Sequence, residues 1–220
     1  MADHLRPSAP IHADALLPGD PGRALALAQD LLQRPRMANH ARGLWGYSGV
    51  TADGRDLTIQ STGLGGPSVA VVLSELAELG VRRAIRIGTC RALAAGLEAG
   101  AVLVAGEAVG GESSAPPAPD VALTQALAAA LDGLEPAPVA GTDAYYDPLW
   151  EARSERWLAA GAAAVDLGTA ALFEVGARQG VAVASAIVVS RPAGGEALDD
   201  EGIEAVSLEV GRAAAAALAA

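Results

Sequence analysis

Apolar residues recur along this chain in two ways, as short continuous runs and at the spacing of an amphipathic helix. The short runs predict strands at 13–17, 44–50, 57–61, 83–88, 102–109, 138–141, 162–167 and 181–189. Helical spacing predicts helices at 21–32, 68–79, 121–131, 149–159, 170–179 and 201–218. Because apolar strands alternate with helices, the pattern predicts an α/β fold with a mostly buried sheet, in one domain of residues 1–220.

Local signals support several of these boundaries. Asp20 is predicted to cap a helix that begins at Pro21, since proline is favoured at the first helical position. Gly54 ends the turn of a predicted hairpin between the second and third strands. Residues 110–119 are small, polar and rich in proline, so they are predicted to form a surface loop.

Charge and composition exclude several classes of partner. The formal net charge is −11, and an acidic surface repels phosphate backbones, so we expect no nucleic-acid partner and no anionic membrane. No apolar run reaches the roughly 20 residues of a membrane span, and residues 1–10 lack the apolar stretch of a signal peptide. We therefore expect a cytoplasmic protein. Cys90 is the single cysteine, which excludes an intrachain disulfide and a cysteine-rich zinc site.

The sequence contains no lysine. This excludes a Walker-type phosphate loop, a Schiff-base lysine and attachment of pyridoxal phosphate. A bound anion would have to be held by arginine, by backbone N–H groups or by hydroxyl groups.

The ends of four predicted strands carry glycine, arginine or hydroxyl side chains, at 18–23, 61–66, 86–91 and 189–196. In open α/β sheets ligands collect beyond the carboxyl ends of the strands. At the first of these ends, a helix N-terminus and the guanidinium of Arg23 favour an anion. The alternative there is a plain turn with a surface arginine.

Arg86 lies inside a buried apolar strand. A buried guanidinium costs several kcal/mol unless it is paired and hydrogen-bonded, so its partner is either a structural carboxylate or a bound anion. Together with Arg23 and Thr89, it would form a good oxyanion site.

Four motifs in order give the chain a family resemblance. They are PGDPGR at 18–23, HARGLWGYSG at 40–49, STGLGGPSVAVVLSEL at 61–76 and IRIGTC at 85–90. The chain resembles the purine nucleoside phosphorylase and uridine phosphorylase family of trimeric and hexameric enzymes. The resemblance covers nearly the whole chain and implies a mixed central β-sheet flanked by helices.

The resemblance also implies a reaction, phosphorolysis of a nucleoside to free base and ribose 1-phosphate. It implies that inorganic phosphate is the co-substrate, that there is no cofactor or metal, and that the catalytic residues are Arg23, Arg86 and Arg191. It implies a phosphate site formed by Gly19, Arg23, Arg42, Arg86 and Thr89. Arg42 would reach in from a neighbouring subunit, so the resemblance implies a homo-oligomer built from dimers, most simply a hexamer.

For the nucleoside, the resemblance implies a site formed by His4, Arg91, Tyr145, Asp166, Leu167 and Gly168. His4 would be offered by the neighbouring subunit to the ribose 5′-hydroxyl; the alternative is a histidine in a disordered tail. Tyr145 would pack against the base; the alternative is ordinary core packing.

Two positions depart from the family pattern. Glycine is usual at position 91, where Arg91 would narrow the base pocket, contact an acidic group of the ligand, or pair with a carboxylate such as Glu98. Gly168 stands where the family has a glutamate that holds the ribose hydroxyls, and Asp166 is one methylene shorter than the acid usual there. We therefore expect weak turnover of ordinary ribonucleosides, and the double change Arg91→Gly and Gly168→Glu is expected to raise it.

Arg191 bears on the base. Uridine phosphorylases have arginine at this position, whereas the purine enzymes have aspartate, so the uridine branch is favoured over a purine-specific enzyme. However, residues 146–164 contain no convincing match to the Gln and Arg pair that reads uracil.

Other functions remain as alternatives. A catalytically impaired relative could bind phosphate together with a nucleoside-like or different ligand, as Gly168 and Arg91 suggest. A dinucleotide-binding dehydrogenase would need a different glycine spacing from that at 63–68. A hydrolytic nucleosidase would not need three arginines directed at phosphate.

Overall fold

The computed structural model describes residues 2–109 and 117–220. The strands of the described residues are β1 Asp14–Pro18, β2 Leu32–Asn39, β3 Gly46–Thr51, β4 Asp56–Gln60, β5 Arg83–Ala92, β6 Val102–Val109, β7 Ala137–Gly141, β8 Ala164–Asp166 and β9 Ala182–Arg191. The α-helices are α1 Pro21–Leu31, α2 Gly66–Glu78, α3 Val121–Ala130, α4 Trp150–Ala159, α5 Thr169–Gln179 and α6 Asp200–Ala217.

All of these strands belong to one mixed sheet in the order β2-β3-β4-β1-β5-β8-β7-β6-β9. The central pairs β1–β5 and β5–β9 are parallel, whereas β3–β4 and β6–β9 are antiparallel. Since β5 pairs with β9 as well as β8, the strands β5, β8, β7, β6 and β9 close into a ring. The predicted α/β fold with a mixed central sheet is confirmed.

Helices cover both faces of the sheet. On one face, α2 and α5 bury Leu73, Leu76 and Phe173 against the strands. On the other, α1, α3 and α6 bury a second cluster that includes Leu27 and Leu127. Aromatic residues are only 3% of the chain, so packing of aliphatic side chains forms most of this core.

The helices and the hairpin follow the sequence prediction closely. Asp20 caps α1 and its side chain accepts a hydrogen bond from the Arg23 N–H, and β3 and β4 are antiparallel neighbours. Strand β2 was not predicted, because Pro35 and its charged neighbours are unusual in a strand; it lies at the sheet edge, where proline is tolerated. Most of the loop predicted at 110–119 lies outside the described residues.

Strand β5 is longer than its sequence pattern predicts. The apolar run was predicted to end at Gly88, but the strand continues to Ala92. Pairing with β9 on one side and with β8 on the other extends it. As a result, Arg91 lies in a strand rather than in a loop, which fixes its neighbours.

Candidate active site

The carboxyl ends of β1, β5, β8 and β9 meet around a cavity of about 620 Å³. Residues from the loops that follow β1, β4 and β7 complete its wall. Among the residues predicted from the sequence, those that line the cavity are Gly19, Arg23, Arg86, Thr89, Arg91, Tyr145, Asp166, Leu167 and Arg191. The predicted residues that do not line it are His4, Arg42 and Gly168.

Arg23 stands at the start of α1 and turns its side chain toward the cavity. Its Nη1 atom is buried and has no hydrogen-bond partner among the described residues. Burial lowers the pKa of Arg23, the carboxylate of Asp20 raises it, and the charge of Arg86 lowers it. The two arginines are thus close enough to repel one another, and a bound anion that accepts hydrogen bonds from both would relieve that repulsion.

Arg86 is the more deeply buried of these two cations. Its Nη2 atom donates a hydrogen bond to Asp166 Oδ2 at 2.8 Å, and the two side chains are 7% and 0% exposed. Its Nε and Nη1 atoms are buried without a partner among the described residues. Arg86 therefore has a structural carboxylate as partner, which is one of the two alternatives left open by the sequence. It also keeps free donors for a bound anion, the other alternative.

Asp166 is occupied by contacts within the protein. Its carboxylate accepts hydrogen bonds from the Thr169 N–H at 3.0 Å and from Thr169 Oγ1 at 2.9 Å, in addition to that from Arg86. These bonds hold Asp166 as an anchor for Arg86. A direct contact between Asp166 and a nucleoside stays a prediction.

Gly88 and Gly168 make room for the Arg86 guanidinium. A Cβ atom added at Gly168 would lie 2.7 Å from both Nε and Nη2 of Arg86, and one added at Gly88 would collide with Nη1. Only residues without a side chain fit at these two positions while Arg86 stays in place. The gain predicted for Gly168→Glu therefore requires the Arg86 guanidinium, the far end of a flexible side chain, to shift, and it stays a prediction.

Arg91 is stacked on an aromatic ring. Its guanidinium carbon lies 3.9 Å from the centroid of the Trp150 ring, as in a cation–π contact. Trp150 in turn meets the buried Trp157 edge to face, with 6.0 Å between ring centroids. Among the described residues, no ion pair joins Arg91 to Glu98; Arg91 lines the cavity instead, and its two predicted roles there, narrowing the base pocket or contacting an acidic group of the ligand, stay predictions.

Tyr145 and Tyr146 stand at the mouth of the cavity. Tyr145 is 49% exposed and Tyr146 93% exposed, and their rings meet edge to face with 4.9 Å between centroids. Core packing of Tyr145 is therefore excluded. Sequence reasoning missed Tyr146 and Trp150, although the aromatic cluster at 145–150 in a chain with few aromatic residues was a usable signal.

Cys90 also lines the cavity and was not predicted to do so. Burial raises the pKa of its thiol, Asp166 raises it further and Arg86 lowers it, with a net increase. The thiol is therefore neutral at physiological pH and unsuited to act as a nucleophile.

His4 and Arg42 lie outside the cavity of their own subunit. The Nδ1 atom of His4 is 2.6 Å from Glu75 Oε1, and its side chain is 41% exposed. The backbone N–H of Leu5 also donates to Glu75, so His4 does not belong to a disordered tail. Arg42 is exposed and has a positive φ of 58°. Their predicted contribution to a neighbouring subunit stays a prediction.

Within the described residues, no group of three or more His, Cys, Asp or Glu side chains is placed to hold a metal ion. No helix there has the length and apolar character needed to cross a bilayer.

The sequence of this chain is similar to that of known enzymes. Residues 14–220 match the family model of the phosphorylase superfamily. A guanosine phosphorylase of Halorubrum lacusprofundi is 36% identical over 185 residues, covering 78% of this chain and 75% of the relative. A DeoD-type purine nucleoside phosphorylase of Caldanaerobacter subterraneus is 33% identical over 192 residues, covering 80% and 81%.

A solved structure shows the same fold. The uridine phosphorylase of Vibrio fischeri superposes with a TM-score of 0.86 at 23% identity, over 95% of this chain and 92% of that one. This likeness shows the fold; the family match and the two relatives show that the chain belongs to the phosphorylase superfamily and is an enzyme of its pentosyltransferase class, the nucleoside phosphorylases.

Proposed function

We propose that this protein cleaves the N-glycosidic bond of a nucleoside with inorganic phosphate, releasing the free base and (deoxy)ribose 1-phosphate. The observation that carries the proposal is a set of buried guanidinium nitrogens in one cavity that have no hydrogen-bond partner in the described part of the chain, Nη1 of Arg23 and Nε and Nη1 of Arg86. Buried donors of this kind are costly unless an anion accepts from them.

The reaction follows from that placement. An oxygen of phosphate forms a bond to C1′ of the sugar, and the C1′–N bond breaks with both electrons going to the base, which later takes a proton. The transition state resembles an oxocarbenium ion, so a fixed phosphate beside it is stabilising. In this proposal Arg23, Arg86, Gly19 and Thr89 hold the phosphate, and positioning and electrostatics supply most of the rate. Phosphate is the sole added reactant, and arginine supplies the positive charge.

In this proposal an arginine, rather than a carboxylic acid, contacts the departing base. Arg191 lines the cavity at the end of β9. Among residues 2–109 and 117–220, two carboxylates belong to the cavity wall and both are engaged, Asp20 as the cap of α1 and Asp166 with Arg86. This arrangement supports the uridine-phosphorylase-like handling predicted from Arg191, although the named relatives act on guanosine and other purine nucleosides.

A second candidate rests on the sugar side of the site. Gly168 offers no carboxylate to a ribose diol, and Asp166 is engaged elsewhere. A relative with weak catalysis that binds phosphate and a different ligand would have the same cavity.

A phosphate-dependence assay tests the proposal. A panel of purine and pyrimidine ribonucleosides and deoxyribonucleosides is incubated with and without phosphate, and free base and sugar 1-phosphate are quantified. We expect base release that requires phosphate and yields equal amounts of the two products. Release without phosphate would indicate a hydrolase; phosphate binding without release would indicate the second candidate.

Arg23→Gln is the matching variant. We expect the KM for phosphate to rise roughly tenfold or more, the equivalent of one lost charge-assisted hydrogen bond. Arg178→Gln is the control, because Arg178 is exposed in the last turn of α5, at the end of that helix away from the cavity. Equal effects of Arg23→Gln and Arg178→Gln on the KM for phosphate would contradict a phosphate-binding role for Arg23.

The proposed assembly is a homo-oligomer built from dimers, a hexamer in its simplest form, in which His4 and Arg42 complete the site of the neighbouring subunit. The cytoplasmic location stays a prediction from the sequence.

A further inference from the structure

Two cavity arginines lie side by side on neighbouring strands. Arg91 of β5 and Arg191 of β9 are register partners in a parallel pair, and both line the cavity. A register shift between Cys90 and Arg91 precedes this pair, so it is their shared position in the cavity lining that brings the two side chains together, and like charges placed there repel. A side-chain hydrogen bond from Ser190 Oγ to the Cys90 carbonyl oxygen, 3.1 Å long, ties the two strand ends together beside them.

No carboxylate compensates this pair within the described residues. The lining of the cavity contains four arginines and two aspartates. The aspartates are engaged, Asp20 as the helix cap and Asp166 with Arg86, and no ion pair to Arg91 or Arg191 is formed in the described part of the chain. The Trp150 ring fixes the plane of the Arg91 guanidinium but does not neutralise its charge.

The surroundings of the pair suit a flat ring. Arg91, Trp150 and Tyr145 form an aromatic part of the lining, whereas Arg23, Arg86 and the glycine turn at Gly19 form the part proposed to hold phosphate. Stacked planar groups accept a planar ligand by contact with its faces. The part of the ligand that meets the arginine pair is therefore the nucleobase.

We propose that Arg91 and Arg191 recognise a nucleobase that carries a negative charge at neutral pH, and that nucleosides of such acidic bases are the preferred substrates. This inference rests on the proposed function. When the C1′–N bond breaks, the base receives the electron pair, so an already anionic base gains a second negative charge until it takes a proton. Two adjacent guanidinium groups bind the first charge and stabilise the second as it develops.

Matched nucleoside pairs test the inference. Xanthosine, whose purine ring ionises near neutral pH, is compared with inosine, and 5-carboxyuridine is compared with uridine. We expect kcat/KM to favour the acidic member of at least one pair by roughly tenfold or more, the value of one charge-assisted contact. The two pairs distinguish an ionised purine ring from a carboxylated pyrimidine.

Variants of Arg91 test whether this residue causes the preference for acidic nucleosides. Arg91→Gln is expected to lower the acidic-to-neutral ratio roughly tenfold or more, and Arg91→Lys to keep part of it, since lysine retains the charge without the planar stack. Arg178→Gln is the control and should leave the ratio unchanged. The KM for phosphate should stay the same in all three variants.

Two results would overturn the inference. One is a wild-type preference for the neutral member of both pairs; the other is an equal fractional loss of kcat/KM for the acidic and the neutral member in Arg91→Gln. Phosphate-dependent cleavage of inosine or uridine would still support the proposed phosphorylase activity in that case. If no nucleoside is cleaved, the proposed function fails, and calorimetry with xanthine and hypoxanthine decides the inference separately. Equal affinity for the two bases would then contradict it.

Discussion

At the scale of single residues, the site depends on how Arg86 is held. Asp166 accepts from one of its nitrogens, while Gly88 and Gly168 leave space for the guanidinium. The other nitrogens remain available to a ligand. Sequence reasoning identified Arg86 as a buried cation that needs a partner. It could not identify the partner, because Asp166 is 80 positions away in the chain and meets Arg86 only when β5 and β8 pair.

A methyl group at Gly168 tests this arrangement. The added Cβ of Gly168→Ala would lie 2.7 Å from two nitrogens of Arg86, so the guanidinium must move. We expect the KM for phosphate to rise roughly tenfold or more, measured by steady-state kinetics. Gly194→Ala is the control, because no atom lies within 4 Å of an added Cβ there and its φ is not positive. An unchanged KM in Gly168→Ala would show that Arg86 does not hold phosphate from this position.

Removal of the Arg86 side chain should also affect folding. Asp166 is fully buried, so Arg86→Ala leaves a carboxylate without its cation, and breaking a buried pair typically costs about 3–5 kcal/mol. We expect a loss of that size in the free energy of unfolding, measured by urea denaturation, together with weaker phosphate binding. From the sequence alone, a ligand-binding Arg86 predicts that Arg86→Ala abolishes phosphate binding yet leaves a folded protein; the buried partner Asp166 adds a cost in stability to that prediction. A variant as stable as the wild type would show that solvent reaches Asp166.

At the scale of elements, pairing between strands that are distant in the sequence determines strand boundaries that the local sequence pattern does not predict. Residues 83–88 are apolar enough to predict a strand, but the extension to Ala92 comes from pairing on both sides. Strand β2 has only the weak local pattern of an edge strand, with Pro35 inside it. The helices were predicted well, because caps and spacing are local signals. The arginine pair 91/191 could not be predicted, since its register depends on the β5–β9 pairing.

The N-terminal segment is attached to α2 through one carboxylate. Glu75 accepts hydrogen bonds from the backbone N–H groups of Asp3, His4 and Leu5, and Leu5 is buried in the core. Glu75→Ala removes these acceptors and should lower the free energy of unfolding by about 1–3 kcal/mol. It should also make residues near His4 sensitive to protease. Equal protease resistance in the variant and the wild type would contradict the anchoring role.

The contribution of Glu75 to the stability of the fold should decrease as the pH falls into the acidic range. Burial raises the pKa of Glu75, but hydrogen bonds from Leu5 and His4 outweigh burial and lower it below the ordinary 4.5. A carboxylate with a lowered pKa stabilises the fold above its unfolded pKa, and this stability is lost as pH falls through the folded pKa. The Tm difference between wild type and Glu75→Ala should therefore be full near neutral pH and shrink below about pH 4. A difference that grows on acidification would contradict this assignment.

At the scale of the whole molecule, the cavity contains most of the predicted site but not all of it. His4 and Arg42 are on the surface, outside the cavity wall of their own subunit. The family resemblance assigns both to the site of a neighbouring subunit, and this assignment stays a prediction. A site shared between subunits would account for both, since a two-fold interface lets each partner contribute the same residues to the other.

Complementation between inactive variants tests the shared site. Arg42→Ala and Arg23→Ala are each expected to have little activity, because each lacks one proposed phosphate contact. In a mixed dimer, the site that keeps Arg23 receives Arg42 from the partner and is complete, whereas the other site lacks both. If subunits mix randomly, half of the dimers are mixed and each has one complete site. Refolding the variants together should therefore restore about one quarter of the wild-type activity. A mixture no more active than its parents, with mixed oligomers confirmed by differential tags, would show that Arg42 does not serve the neighbouring site.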